Sequence, residues 1–339
     1  MKWKRAFKLL TLGVVGLVAL LVATGAVYEQ VMRRSAARRF PPQGKMVEVN
    51  GRLMQIDCRG SGSPTVVLEA GLDGLGSLSW ASVHDSLAAM TRTCARSRAG
   101  VMWSEPAPGP FDVAQSMENL RAALQAAGEA PPFLMVGHSI AGPYLMEFTH
   151  LHRADVAGLV LVDPSHPDQQ KSFREATGTS MPEPPRIADI MGAIAWTGIP
   201  RLMTRPSPDA DATQRAVNAY APLSIRGVLS ENSAVTSTLA AVAGLRDLGD
   251  RPLLVLTAMA PFPNAMLEVA GITREQADRF QAAWKALHDE EASWSTRGRN
   301  ELVPDATHYI HHDRPGVVIA AVKEVVDAVR ADTPSPPGG

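Results

Sequence analysis

Cysteine is scarce in this chain. Cys58 and Cys94 are the only two among 339 residues, and each falls near the end of a predicted strand, where cysteine serves as a small buried apolar residue. No Cys/His cluster has the spacing of a metal site, and His311-His312 reads as a loop doublet, so no metal or other cofactor is expected. Internal repeats are also missing, which sets aside a stacked-repeat architecture. Net charge is nearly absent at −1, but this average hides an asymmetry. Residues 1–39 hold eight Lys/Arg and one acid, Glu29, leaving 25 basic against 33 acidic residues in the remainder. An acidic globular part argues against nucleic acid as a partner.

The chain has one long uncharged run, the 19 residues Leu9–Val27, preceded by Lys2, Lys4, Arg5 and Lys8. That length crosses a bilayer core as a helix. The run exceeds the usual signal-peptide core, so an uncleaved anchor is expected, with secretion after cleavage near Ala23-Thr24-Gly25-Ala26 as the rival reading. A basic start places the N-terminus in the cytoplasm and the rest on the extracytoplasmic, periplasmic side. The second basic cluster, Arg33–Arg39, opposes that orientation unless it lies against anionic headgroups.

Beyond this run, strands alternate with helices. Asn50-Gly51 between two alternating stretches predicts a hairpin. Buried strands are predicted at Thr65–Leu68, near Thr93–Ala95, and at Phe133–Val136, Val156–Val162, Leu253–Leu256 and Glu301–Val303. A helix capped by Asp112 and closed by Gly128 precedes the third of these. Long helical sequence fills 265–295, and a final helix runs from about Pro315 to Arg330. Such alternation implies a mainly parallel sheet covered on both faces, with chemistry at the C-terminal ends of its strands. The expected organisation is a basic flank at 1–8, an anchor or signal segment at 9–27 and a linker at 28–44. Core segments at 45–163 and 251–331 enclose a helical cap at 164–250, and a disordered tail occupies 332–339.

The stretch that organises the rest is Phe133-Leu134-Met135-Val136-Gly137-His138-Ser139-Ile140-Ala141-Gly142. A serine held at a sharp strand-to-helix turn needs small residues two positions before and two after, and Gly137 and Ala141 supply them. A serine hydroxyl then needs a base, a carboxylate to orient that base, and donors for the oxyanion. His308, in the loop after the last predicted strand, is the expected base, with His311 and His312 as runners-up. His138 adjoins Ser139 and is read as a packing or orienting residue. The loop 257–264 offers no carboxylate, so Asp163, immediately after the preceding strand, is the expected acid and Asp168 the second choice. The oxyanion donors are expected to be the backbone N–H groups of Leu72 and Ile140.

With these residues in place, the chain resembles the α/β-hydrolase fold superfamily over about residues 43–330, and looks most like its membrane-anchored bacterial serine-hydrolase members. The carriers are Val66–Leu72, Ser97–Ser104, Gly137–Gly142, Leu161–His166 and His308–Ile310. The resemblance implies an eight-stranded, mainly parallel sheet with its second strand antiparallel and a helical cap after the sixth. It also implies that the strands bearing Cys58 and Cys94 are neighbours, so that the two form a disulfide. Where the family usually reads Asp-Arg-x-Gly-x-Gly, Ser97 replaces the Asp and Met102 the second Gly, changing a loop beside the pocket. Serine rather than aspartate at position 139 argues against haloalkane dehalogenase and epoxide hydrolase chemistry.

The implied activity is hydrolysis of a carboxylic ester, apolar or acyl-chain, through an acyl-serine. A non-catalytic ligand-binding or scaffold protein on the same fold is the alternative, as is a serine-type C–C bond hydrolase.

Overall fold

The computed structural model describes residues 2–180, 187–204 and 206–332. Its centre is an eight-stranded sheet with strand order β1-β2-β4-β3-β5-β6-β7-β8. The strands are β1 (Lys45–Val49), β2 (Arg52–Arg59), β3 (Thr65–Glu69), β4 (Thr93–Arg96), β5 (Phe133–His138), β6 (Val156–Val162), β7 (Leu253–Ala258) and β8 (Gly298–Val303). β2 runs antiparallel to both neighbours, and from β4 to β8 every pairing is parallel. The β1–β2 hairpin turns on Asn50 and Gly51, both at positive φ, which matches the right-handed twist of the flanking strands. Cys58 and Cys94 are direct cross-strand partners between β2 and β4 and are joined by a disulfide.

Each face of the sheet carries its own core because β3, β5 and β6 are apolar on both sides. On one face pack α3 (Val113–Ala127) and α4 (Ala141–Leu151), through Met117, Leu120, Leu124, Tyr144 and Phe148. On the other lie α2 (His84–Ala88), α12 (Ile310–Asp313) and α13 (Pro315–Asp332), with Trp80, Leu87, Val318, Val322 and Val325 buried. The ends of α3 form as its sequence predicts. Asp112 accepts the Gln115 N–H at 2.8 Å, and Gly128 closes the helix at φ 90°.

Between β6 and β7 the chain forms α5 (Gln169–Thr177), α6 (Ile187–Ala193), a 3-10 turn at Ala195–Thr197, α7 (Ile199–Met203), α8 (Ala212–Ser233) and α9 (Val235–Val242). The cap expected at 164–250 is not uniform. Leu239 and Val242 of α9 belong to the same core cluster as α3 and α4, so α9 is a sheet-covering helix at the end of the insertion. The helical stretch at 265–295 is two helices, α10 (Asn264–Ala270) and α11 (Arg274–Ser293). They are broken where Gly271 turns to φ 65°, and α11 restarts with a Thr273–Gln276 capping box.

The expected linker at 28–44 is corrected in its first part. A single helix, α1 (Lys2–Arg39), runs through it. Its C-terminal turns are held by tertiary contact, since Ala36 is buried in a cluster with Val101, Met102, Ala216 and Tyr220. Asp332 closes α13 instead of opening a tail, and 333–339 lie outside the described residues.

Candidate active site

Ser139 sits where β5 hands over to α4, at φ 56°, a left-handed conformation that is costly for a non-glycine residue. The turn is over-determined. The Ser139 N–H donates to the Val162 carbonyl at 3.1 Å, and the Ser139 carbonyl accepts the N–H groups of Gly142 and Ser165, each at 2.9 Å. Small neighbours are needed, because a Cβ at Gly137 would lie 3.2 Å from that of Ala141 and 2.8 Å from Leu145.

His308, in the loop between β8 and α12, places Nε2 2.9 Å from the Ser139 hydroxyl and Nδ1 2.6 Å from Asp163 Oδ2. Asp163 follows the last residue of β6, is almost wholly buried and has φ 44°. Its backbone N–H bonds the Leu256 carbonyl at 2.8 Å, which fixes it to β7. Oδ1 accepts the Ala258 N–H at 2.9 Å and the Trp284 indole N–H at 3.3 Å. The carboxylate is therefore anchored on one oxygen while the other faces His308. Nδ1 of His308 carries the proton toward Asp163, leaving Nε2 free to accept from Ser139.

Asp168, the second choice for the acid, is elsewhere. Its Oδ2 pairs with Arg246 at 2.7 Å on a half-exposed surface. His311 is buried against Trp80, with ring centroids 4.7 Å apart, and makes no hydrogen bond to Ser139 or Asp163. The loop-doublet reading of His311-His312 is corrected, since both belong to α12. His138 packs and orients, with Nε2–H donating to the backbone carbonyl of His308 at 2.8 Å. Burial, followed by the nearby His308 and His311, holds its basicity well below that of a free imidazole, so it stays neutral.

The loop after β3 lies against the nucleophile. A Cβ on Gly71 would come within 3.3 Å of Ser139 Cβ and 2.6 Å of His138 Nδ1. Asp73 ties this loop, accepting the Leu75 N–H at 2.9 Å and the Ser79 hydroxyl at 2.8 Å. Among the described residues, the N–H groups of Leu72 and Ile140 donate no hydrogen bond.

Sequence reasoning missed the supports around these groups. Trp284 comes from α11, 121 residues from the acid, and no local signal in the sequence points to it. The neighbouring His288, neutral because burial lowers its basicity, joins the Pro164 carbonyl at 2.9 Å to Thr257 Oγ1 at 2.8 Å. Arg98 is the larger omission. It is fully buried, donates to the Ala70 and Gly71 carbonyls at 2.6 and 2.7 Å, and forks onto Glu231 of α8 and Glu69. Burial pushes the Glu69 carboxyl up, but Arg96 and Arg98 outweigh it and hold the group below its ordinary range. In this same loop Met102, standing where the resembling family has Gly, adopts φ 50° and donates its N–H to Ser224 of α8 at 2.9 Å. The loop after β4 thus joins the β3 loop to the cap.

A cavity of about 870 Å³ lies among the end of α1, the 99–112 loop and α8. Arg98, Glu231, Trp196 and Arg33 belong to its wall, whereas Ser139, His308 and Asp163 do not.

Comparison with known proteins agrees with this architecture. The chain is 24% identical over 174 residues to the uncharacterised protein YbdG of Bacillus subtilis strain 168, covering 51% of this chain and 53% of YbdG. It is 25% identical over 273 residues to the uncharacterised YqjL of the same organism, covering 79% and 85%. The chain therefore spans about half the length of one relative, at 53%, and most of the other, at 85%. Among solved structures, a thermophilic esterase from Thermogutta terrifontis superposes with a TM-score of 0.58 at 19% identity, covering 84% of this chain and 97% of the esterase. A family model described as the alpha/beta hydrolase family matches residues 50–322. With the sheet order, the insertion after β6 and the serine turn after β5, that match establishes that this chain belongs to the alpha/beta hydrolase family.

Proposed function

We propose that this protein is a serine hydrolase that cleaves a carboxylic ester of a small molecule through an acyl-serine. The supporting observation is the unbroken relay from the Ser139 hydroxyl through His308 to Asp163, with bonds of 2.9 and 2.6 Å. Ser139 Oγ attacks the ester carbonyl carbon while His308 Nε2 takes its proton. Asp163 stabilises the resulting imidazolium without taking the proton itself. The oxyanion is received by the Leu72 and Ile140 N–H groups, which donate to nothing else among the described residues. Collapse expels the alcohol, protonated by His308, and leaves the acyl group on Ser139. Water, deprotonated by the same imidazole, then attacks the acyl carbon; the bond to Ser139 Oγ breaks, the carboxylic acid leaves, and His308 returns the proton to the serine.

The substrate is read as an apolar or acyl-chain ester, because α1 carries an apolar stretch long enough to cross a bilayer. We read α1 as an uncleaved single-pass anchor of a bacterial protein, with the hydrolase on the extracytoplasmic side. The Cys58–Cys94 disulfide suits an oxidising compartment. The acidic core argues against nucleic acid as a partner.

The test uses the full chain in detergent micelles and nitrophenyl esters of increasing acyl length. Hydrolysis with acylation or phosphonylation at Ser139, lost in Ser139→Ala, is expected. Equal rates for the wild type and Ser139→Ala, with no phosphonate adduct, would refute the assignment.

A further inference from the structure

Where α1 emerges from its apolar run, it is gripped by the cap. Gly25 packs so closely on the 3-10 turn that a Cβ there would lie 2.1 Å from the Thr197 carbonyl oxygen. A Cβ at Gly198 would lie 2.8 Å from the Gly25 carbonyl oxygen. One turn further along α1, Glu29 is buried and forks with Arg201 of α7 at 2.6 and 2.9 Å, while Arg33 closes on it from the next turn at 3.0 Å. Arg201 is itself buried and donates to the Ala219 carbonyl of α8 at 2.8 Å. An acid two residues beyond an apolar span is thus neutralised by a cation that the cap supplies.

This contact fixes the level of the cap relative to the span. The run Leu9–Val27 is about 28 Å long as a helix, close to the thickness of a bilayer's hydrocarbon core. Gly25 lies two residues, about 3 Å, inside its C-terminal end. The residues touching Gly25 therefore stand at the boundary between hydrocarbon and headgroups. The helices that pack on this turn, α6 and α7, also expose apolar side chains. Ile187, Ile190, Trp196, Ile199, Leu202 and Met203 are each between 46% and 69% exposed. Arg34, Arg38 and Arg39, also on α1, are exposed beyond the span on its globular side. A tryptophan beside aliphatic residues at this depth is the composition of an interfacial contact.

We propose that the face formed by α6, the 195–197 turn and α7 is a second membrane contact, seated in the outer boundary of the same bilayer that α1 crosses. The inference rests on the reading of α1 as an anchor. It adds that the cap is held on the lipid surface and does not hang free on a tether. The cavity wall that includes Trp196 and Arg33 then lies next to lipid.

The test places single cysteines in the full chain, where Cys58 and Cys94 are bonded to each other and leave no other thiol. Ile199→Cys, Leu202→Cys and Met203→Cys report the cap, Leu17→Cys reports the anchor and Lys323→Cys on α13 is the water-exposed reference. Each carries an environment-sensitive fluorophore in vesicles of phosphatidylcholine and phosphatidylglycerol. Retained phosphonate labelling of Ser139 verifies the fold of each variant. Loss of fluorescence with doxyl-labelled lipids is expected at 17 and at the three cap positions, and not at 323. Quenching at 17 combined with free access of aqueous iodide at 199, 202 and 203 would overturn the proposal and leave the anchor intact. No lipid quenching at 17 would overturn the anchor reading and the proposal with it. Shielding of the cap positions from both quenchers, together with cross-linking between copies, would assign this face to a second copy of the chain and overturn the bilayer contact.

Discussion

Asp163 Oδ2 and His308 Nδ1 meet at 2.6 Å although 145 residues separate them in the chain. The separation is bridged by the sheet. β6 ends at Val162, β8 ends at Val303, and both deliver their loops to the same rim. The other carboxylate oxygen is occupied by Ala258 N–H and the Trp284 indole, so the acid cannot turn away from the imidazole without losing two bonds.

This relationship separates the two acids. Asp163→Asn should lower kcat for ester hydrolysis by about 10⁴-fold, because an amide presents the wrong partner to Nδ1. Asp168→Asn should change kcat by less than about tenfold, since it loses only a half-exposed ion pair with Arg246. Steady-state kinetics of the two variants, side by side, check the assignment.

Gly71 is tested by adding one carbon. Gly71→Ala must displace either His138 or the Leu72 N–H, because its Cβ would lie 2.6 Å from His138 Nδ1. A misplaced oxyanion donor should cost about 10²–10³ in kcat with little change in KM. An unaltered rate would show that this loop does not hold the oxyanion.

Arg98 joins Glu69, the Ala70 and Gly71 carbonyls and Glu231 in one buried network. Arg98→Met leaves buried Glu231 without its cation and takes one of two from Glu69, which keeps Arg96, and should lower unfolding free energy by about 3–5 kcal/mol. The double variant Arg98→Met with Glu231→Gln should recover part of that loss, which chemical denaturation would measure.

His311 is buried against Trp80 with both ring nitrogens unpartnered, and burial, reinforced by His312 and His308, holds its pKa down to about 3. The unfolded chain takes up a proton near pH 6.5 that the folded chain refuses until about pH 3. Stability is therefore full above the unfolded value and falls as the pH drops from about 6.5 toward 3. His311→Phe should flatten the dependence of Tm on pH across that window without lowering Tm at neutral pH. An unchanged acid slope would remove His311 from the account.

The elements legible in the sequence are those fixed by local chemistry. The strand-turn-helix around Ser139, the Asn50-Gly51 hairpin, the Asp112 cap and the buried strands all follow from periodicity, turn residues and short-range sterics. The choice of His308 followed from its position after the last strand. The absence of an acid in 257–264 left Asp163 and Asp168, five residues apart, and composition ranks them only by their distance from the strand end.

Other features needed the assembled molecule. Residues 28–39 read as a linker because their polar and basic side chains form no apolar stripe of their own. They are helical because Glu29 meets Arg201 and Ala36 enters a cluster with Tyr220. α9 reads as part of the cap because its amphipathic pattern names a buried face but not what buries it. Arg98 was a letter in a loop until its five donors found partners at the end of β3, in the loop that follows it and on α8. The sequence by itself determined where the backbone turns and which faces are apolar, since these depend on neighbours a few residues away. Tertiary structure alone decided which acid faces the imidazole, which cation neutralises Glu29 and which helix covers the sheet. Those depend on contacts between segments far apart in the chain, and no local preference encodes them.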